Sequence, residues 1–72
     1  MLTKTREKIF RAINEYIKKE GISPTVREIC GLTGLKSTST VHIHLKILEE
    51  EGYISTKKDS PRSIRILKNE EL

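Results

Sequence analysis

Three stretches of helical periodicity, followed by two short β-prone runs, predict an α+β fold with a three-helix core and a two-stranded antiparallel β-hairpin after it. Two observations carry this reading. Apolar residues recur at helical spacing as far as Gly52, and beyond it the pattern shifts to alternation. Hydroxyl residues stand where helices would begin, and glycines stand where they would end. A chain of 72 residues allows one small domain, which we place at residues 1–67, with 68–72 as a tail or the start of a linker.

The formal net charge of +4 suits a polyanionic partner, although charge alone does not identify one. Cys30 is the only cysteine, so the chain forms no internal disulfide and no cysteine-rich zinc site, which fits a reducing cytoplasm. No apolar run approaches the roughly 20 residues that cross a bilayer. The N-terminus enters an amphipathic pattern directly and lacks a signal-peptide layout.

The first helix is expected over 6–20, with Thr3 as a plausible N-cap. Ile9, Phe10, Ile13, Tyr16 and Ile17 form its apolar stripe, and Lys4, Lys8, Arg11, Glu15, Lys18 and Lys19 its solvated face. Gly21 through Pro24 break the pattern. Thr25 and Glu28 then make a capping box for a second helix over about 26–33, with Val26, Ile29, Cys30 and Thr33 inward. Cys30 is small, so packing is its expected role. Gly34 ends this helix, Leu35 plugs the junction and Ser37 caps the third helix.

On the third helix Val41, His44, Leu45 and Leu48 share one side. Ser39, His42, Ile43 and Lys46 share the other. The helix–glycine turn–helix succession is a helix-turn-helix, with a turn about one residue longer than the tightest versions. The acidic run Glu49, Glu50, Glu51 is expected to be solvated and away from any phosphate. Beyond Gly52, residues 53–57 and 63–67 read as strands around a basic turn. A hairpin in that position makes the domain a winged helix-turn-helix.

Several motifs then resemble one family. They are Ser23-Pro24-Thr25-Val26-Arg27-Glu28-Ile29, the run from Gly34 to Leu45, Leu48-Glu49 through Gly52-Tyr53-Ile54, and Pro61-Arg62-Ser63-Ile64. Together they resemble the N-terminal domain of the bacterial LexA repressors, closest to the Gram-positive branch with its Ser/Thr run and Val-His-x-His-Leu. The resemblance covers about residues 3–67. It implies operator binding to palindromic double-stranded DNA as a dimer, in repression of the DNA-damage (SOS) response in the cytoplasm. It also implies a further self-cleaving peptidase domain with a Ser-Lys dyad, to which nothing here corresponds, so this chain is expected not to be an enzyme. Two departures stand out. Ile43 occupies a position that is glycine in Gram-positive relatives, and Cys30 and Gly31 replace other small or polar residues.

The expected DNA-binding set follows. Ser37, Thr38, Ser39 and Thr40 can donate to phosphates or base edges, with capping as the main job of Ser37. Ser39 and His42 are the residues expected to touch bases, and Ile43 can meet a thymine methyl. Lys46, Lys36 and Arg27 suit phosphate clamping. Arg62 and Lys57 or Lys58 suit contacts from the wing to backbone or minor groove. His44 faces inward and is expected to be a satisfied structural histidine. No cofactor, metal ligand set, membrane contact or small-molecule substrate is expected, and His42 and His44 point to different faces. The alternatives are a winged-helix protein-interaction module, which calls for an apolar outer face on the third helix, or a different small winged-helix regulator.

Overall fold

Thr3, Thr25 and Ser37 each open a helix by the same chemistry. Each side-chain hydroxyl accepts a backbone N–H three residues on, from Arg6 at 3.2 Å, Glu28 at 3.2 Å and Thr40 at 3.4 Å. In the computed structural model, which describes residues 3–57 and 59–68, these caps precede α1 (Lys4–Glu20), α2 (Val26–Thr33) and α3 (Thr38–Glu50). α1 starts earlier than position 6 because the Thr3 cap makes Lys4 the first helical residue. α2 keeps its expected bounds, and its capping box is complete, with the Glu28 carboxylate accepting the Thr25 N–H at 2.9 Å. α3 ends in a Schellman arrangement. The Tyr53 N–H donates to the Leu48 carbonyl at 2.9 Å and the Gly52 N–H to the Glu49 carbonyl at 3.0 Å. Gly52 supplies the left-handed φ of 83° that this reversal needs.

The reversal sends the chain into β1 (Ile54–Ser55), which pairs antiparallel with β2 (Arg65–Ile66), Ile54 opposite Ile66. The strands are shorter than the expected 53–57 and 63–67, and the backbone donors explain why. The Thr56 N–H goes to the Glu49 carboxylate at 3.2 Å, the Lys57 N–H to the Ser63 hydroxyl at 2.9 Å, and the Ile64 N–H to the Ser23 hydroxyl at 3.1 Å. The Leu67 N–H donates to the Tyr53 carbonyl at 2.8 Å, and in this register the Lys57 N–H is the next donor facing the partner strand, so its diversion to the Ser63 hydroxyl ends the ladder. The Thr56 and Ile64 N–H groups face outward and are met by side chains from outside the hairpin. Asp59 adopts a left-handed φ of 67° in the connecting turn. Lys58, one of the two expected wing lysines, lies outside the described residues, as do residues 69–72 of the expected tail.

The core forms where these elements meet. Ile9, Phe10 and Ile13 enter from α1, Ile29 from α2, Val41, Leu45 and Leu48 from α3, and Tyr53, Ile54 and Ile64 from the wing. The Phe10 and Tyr53 rings meet edge to face, 5.5 Å apart at 69°. Ile17, Val26, Cys30 and Leu35 pack against this cluster from its margin, so Cys30 and Leu35 take the packing roles expected of them. Each fully buried Ile or Leu contributes about 1.5–3 kcal/mol. Hydrophobic burial is therefore the term that sets the relative placement of the helices.

His44 departs from expectation. It is half-buried on the inward side of α3, but its Nδ1 is buried without a hydrogen-bond partner among the described residues, as is the Nε of Arg6. Burial lowers the imidazole pKa, and the nearby positive charge of Arg6 lowers it further. The folded state therefore favours the neutral imidazole more than the unfolded chain does. The unfolded chain binds this proton more readily, so the folded state loses stability as pH falls below the ordinary value of 6.5 and toward the lowered one. Chemical denaturation across this range should show His44→Gln flattening that part of the pH dependence. Identical slopes for the variant and the parent would contradict it.

Candidate nucleic-acid interface

Because α3 buries Val41, Leu45 and Leu48, the helical period turns Ser39, His42, Ile43 and Lys46 outward. All four are exposed, Ile43 at 60%. Ser37 and Thr38 are exposed at the start of the helix and Thr40 is half-buried. The Ser37 hydroxyl is used as the N-cap, leaving Thr38 and Ser39 as the outward hydroxyls of the first turn. That turn carries no acidic side chain, so nothing opposes the partial positive charge at the helix start. Lys36, in the turn before α3, and Arg27, in the first turn of α2, are both exposed.

An open groove of about 640 Å³ separates α3 from the wing. His42, Lys46 and Glu49 line it from the helix, and Thr56, Lys57 and Ser60 from the wing, with Leu45 and Ile64 contributing apolar surface. The structure thus brings His42, Lys46 and Lys57 together around one concavity. Ser39, Ile43, Lys36 and Arg27 lie outside its lining.

Two residues have partners that local sequence does not display. Glu49 is exposed, as expected, and also lines the groove beside Lys46, where its carboxylate accepts the Thr56 N–H at 3.2 Å and the Thr56 hydroxyl at 3.3 Å. Arg62, expected as a free wing cation, already has partners. Its two terminal nitrogens donate to the two Glu28 carboxylate oxygens at 2.9 and 3.0 Å, and one of them also donates to the Ser23 carbonyl at 3.0 Å. The Arg62 hydrogen bond, followed by the Thr25 N–H, lowers the Glu28 carboxyl to about 2. The Arg62 pKa is raised in turn, first by Glu28 and then by the Tyr16 hydroxyl. Local sequence signals identified Glu28 as a capping residue but gave no sign of this second role, because Arg62 is 34 residues away.

The described residues contain no group of three or more His, Cys, Asp or Glu side chains able to hold a metal ion. They also contain no helix long and apolar enough to cross a membrane.

A family model described as LexA DNA binding domain matches residues 1–63. Proteins named LexA repressor are similar over most of the chain. That of Caldicellulosiruptor saccharolyticus is 54% identical over 66 residues, which are 92% of this chain and 33% of the relative. That of Clostridium tetani is 47% identical over 64 residues, 89% of this chain and 32% of the relative. That of Staphylococcus aureus is 44% identical over 69 residues, 96% of this chain and 33% of the relative. The chain spans about a third of the length of these curated relatives.

Proposed function

Because the chain belongs to the LexA DNA-binding domain family, we propose that it serves as the operator-reading module of a transcriptional repressor of the DNA-damage response. One observation carries the reading. α3 is anchored by one buried face and presents on the other a small hydroxyl residue, a histidine, an isoleucine and a lysine, all exposed. A helix of 13 residues is about 20 Å long and fits a major groove about 12 Å wide.

In this reading Ser39 and His42 contact base edges, with His42 donating to guanine N7 or O6. Ile43 packs on a thymine methyl. Ser37, Thr38 and Thr40 serve the phosphates at the helix start, and Lys36, Lys46 and Arg27 clamp phosphates along its flanks. Lys57 reaches the backbone or minor groove from the wing. Arg62 leaves the contact set because Glu28 and Ser23 hold its guanidinium. Two copies on a palindromic operator, acting as a dimer in the cytoplasm, convert a weak half-site affinity into a useful one by avidity. The chain binds rather than catalyses. A protein-interaction role would require a broad apolar outer face, and Ile43 is the one apolar residue among the four outward side chains of α3.

A titration of the chain against a palindromic LexA-type operator and a scrambled duplex, each at several salt concentrations, tests this. The operator should bind more tightly, and Ser39→Ala and His42→Ala should erase the preference. Lys57→Gln should weaken both duplexes alike and reduce the salt slope by about 1. Equal binding of both duplexes by the parent chain would leave only phosphate attraction. No binding at low salt would remove the DNA reading and bring the protein-interaction role forward.

A further inference from the structure

Tyr53, Ile54 and Ile64 anchor the base of the wing in the core, but its tip has little of its own to hold it in place. Its ladder is two residues long on each strand, and an isolated hairpin is marginal in water. Its orientation relative to α3 nevertheless decides where Lys57 sits across the groove from Lys46. Side chains from the helical part supply the missing restraint at both ends. On the β1 side, the Glu49 carboxylate takes the Thr56 N–H and hydroxyl. On the β2 side, the buried Ser23 hydroxyl accepts the Ile64 N–H at 3.1 Å and donates to the Pro24 carbonyl at 3.0 Å. Two residues earlier, Arg62 makes its two-nitrogen, two-oxygen pair with Glu28. Between these tethers Ser63 cross-ties the turn, accepting the Lys57 N–H and lying within 2.9 Å of the Ser60 carbonyl.

We propose that Glu28 and Arg62 form a latch that positions the wing for DNA, so that Arg62 acts on DNA through the wing rather than through phosphate, and the acidic Glu28 supports binding. This inference rests on the DNA-reading function proposed above. The planar guanidinium matches the carboxylate in a fixed direction, which a point charge would not do. Exposed ion pairs as a class contribute little to overall stability, and although the bidentate geometry makes this pair stronger than most, it remains a small part of the domain's total. The effect of the latch is therefore on where the wing lies. Glu28 is well suited to the role because the capping box already fixes its side chain against the Thr25 N–H. The lowered Glu28 pKa keeps the pair ionised through the neutral range.

The two roles open to Arg62 give opposite signs in one experiment. Glu28→Gln removes a negative charge but keeps an acceptor for the Thr25 N–H, so the capping box survives. If Arg62 is a positioning residue, Glu28→Gln weakens operator binding by about tenfold, the equivalent of about 1.4 kcal/mol, and lowers the salt slope as Lys57→Gln does, because the displaced wing loses the Lys57 contact. Arg62→Gln and Arg62→Lys weaken binding similarly, and Arg62→Gln adds nothing in the Glu28→Gln background. If Arg62 instead binds phosphate, Glu28→Gln frees it, tightens binding and raises the salt slope by about 0.9. Either of those results overturns the proposal, as does full operator binding by Arg62→Lys.

Amide exchange on the unbound chain separates positioning from loss of fold. In Glu28→Gln the Lys57 and Ile64 amides should lose protection while core amides of α1 and α3 keep theirs. Unchanged wing protection also overturns the latch. A parent chain that does not distinguish operator from scrambled duplex refutes the DNA reading itself, and the latch's role in binding with it. Operator preference in the parent with no loss in Glu28→Gln refutes the latch alone.

Discussion

Burial of Val41, Leu45 and Leu48 against α1, α2 and β1 fixes the rotation of α3 about its own axis. Turning the helix by one residue, about 100°, would pull these side chains out of the core and forfeit roughly 5 kcal/mol or more. That is a large part of the 5–15 kcal/mol typical of a folded domain. No surface contact of Ser39, His42 or Lys46 compensates a loss of that size. The outward face of α3 is thus set by what lies behind it. Its composition can therefore change without disturbing the scaffold, as the 60% exposure of Ile43 illustrates.

Placement of the wing follows a different physics. The apolar part is confined to the base, with Tyr53, Ile54 and Ile64 buried and Ile66 partly so. These residues attach the hairpin to the helices but leave its tip to be oriented by polar contacts. Three side chains from the helical part, those of Ser23, Glu28 and Glu49, supply them. Two of the three are acidic and belong to a domain whose net charge is +4. Their charges are directed at Arg62 and at the Thr56 donors rather than left facing an approaching phosphate.

How much of this can be read in the sequence depends on the range of each interaction. The caps at Thr3, Thr25 and Ser37 are contacts between residues three apart, and the chain order displays them directly. The inward and outward faces of α3 follow from the helical period and were equally readable. The hairpin is readable as an element but not in its length, because the Ser63 hydroxyl diverts the Lys57 donor that would have continued the ladder. Arg62 looked like one more wing cation, since a partner 34 residues away leaves no local pattern. The inward side of His44 follows from periodicity, but the burial of its Nδ1 and the nearby charge of Arg6 depend on how α1 crosses α3, which periodicity does not encode. The Glu49 contact is unreadable for a related reason, because the reversal at Gly52 brings Thr56 back to it.

The most direct measurement is a map of backbone amide chemical shifts as an operator half-site duplex is added to the labelled chain. The expected result is that the largest changes trace Ser37 to Lys46 and the segment around Lys57, while amides beside Lys8, Arg11 and Glu15 on the outer face of α1 stay in place. Changes centred on α1, with Ser39 and His42 unmoved, would contradict the assignment of α3 as the reading helix.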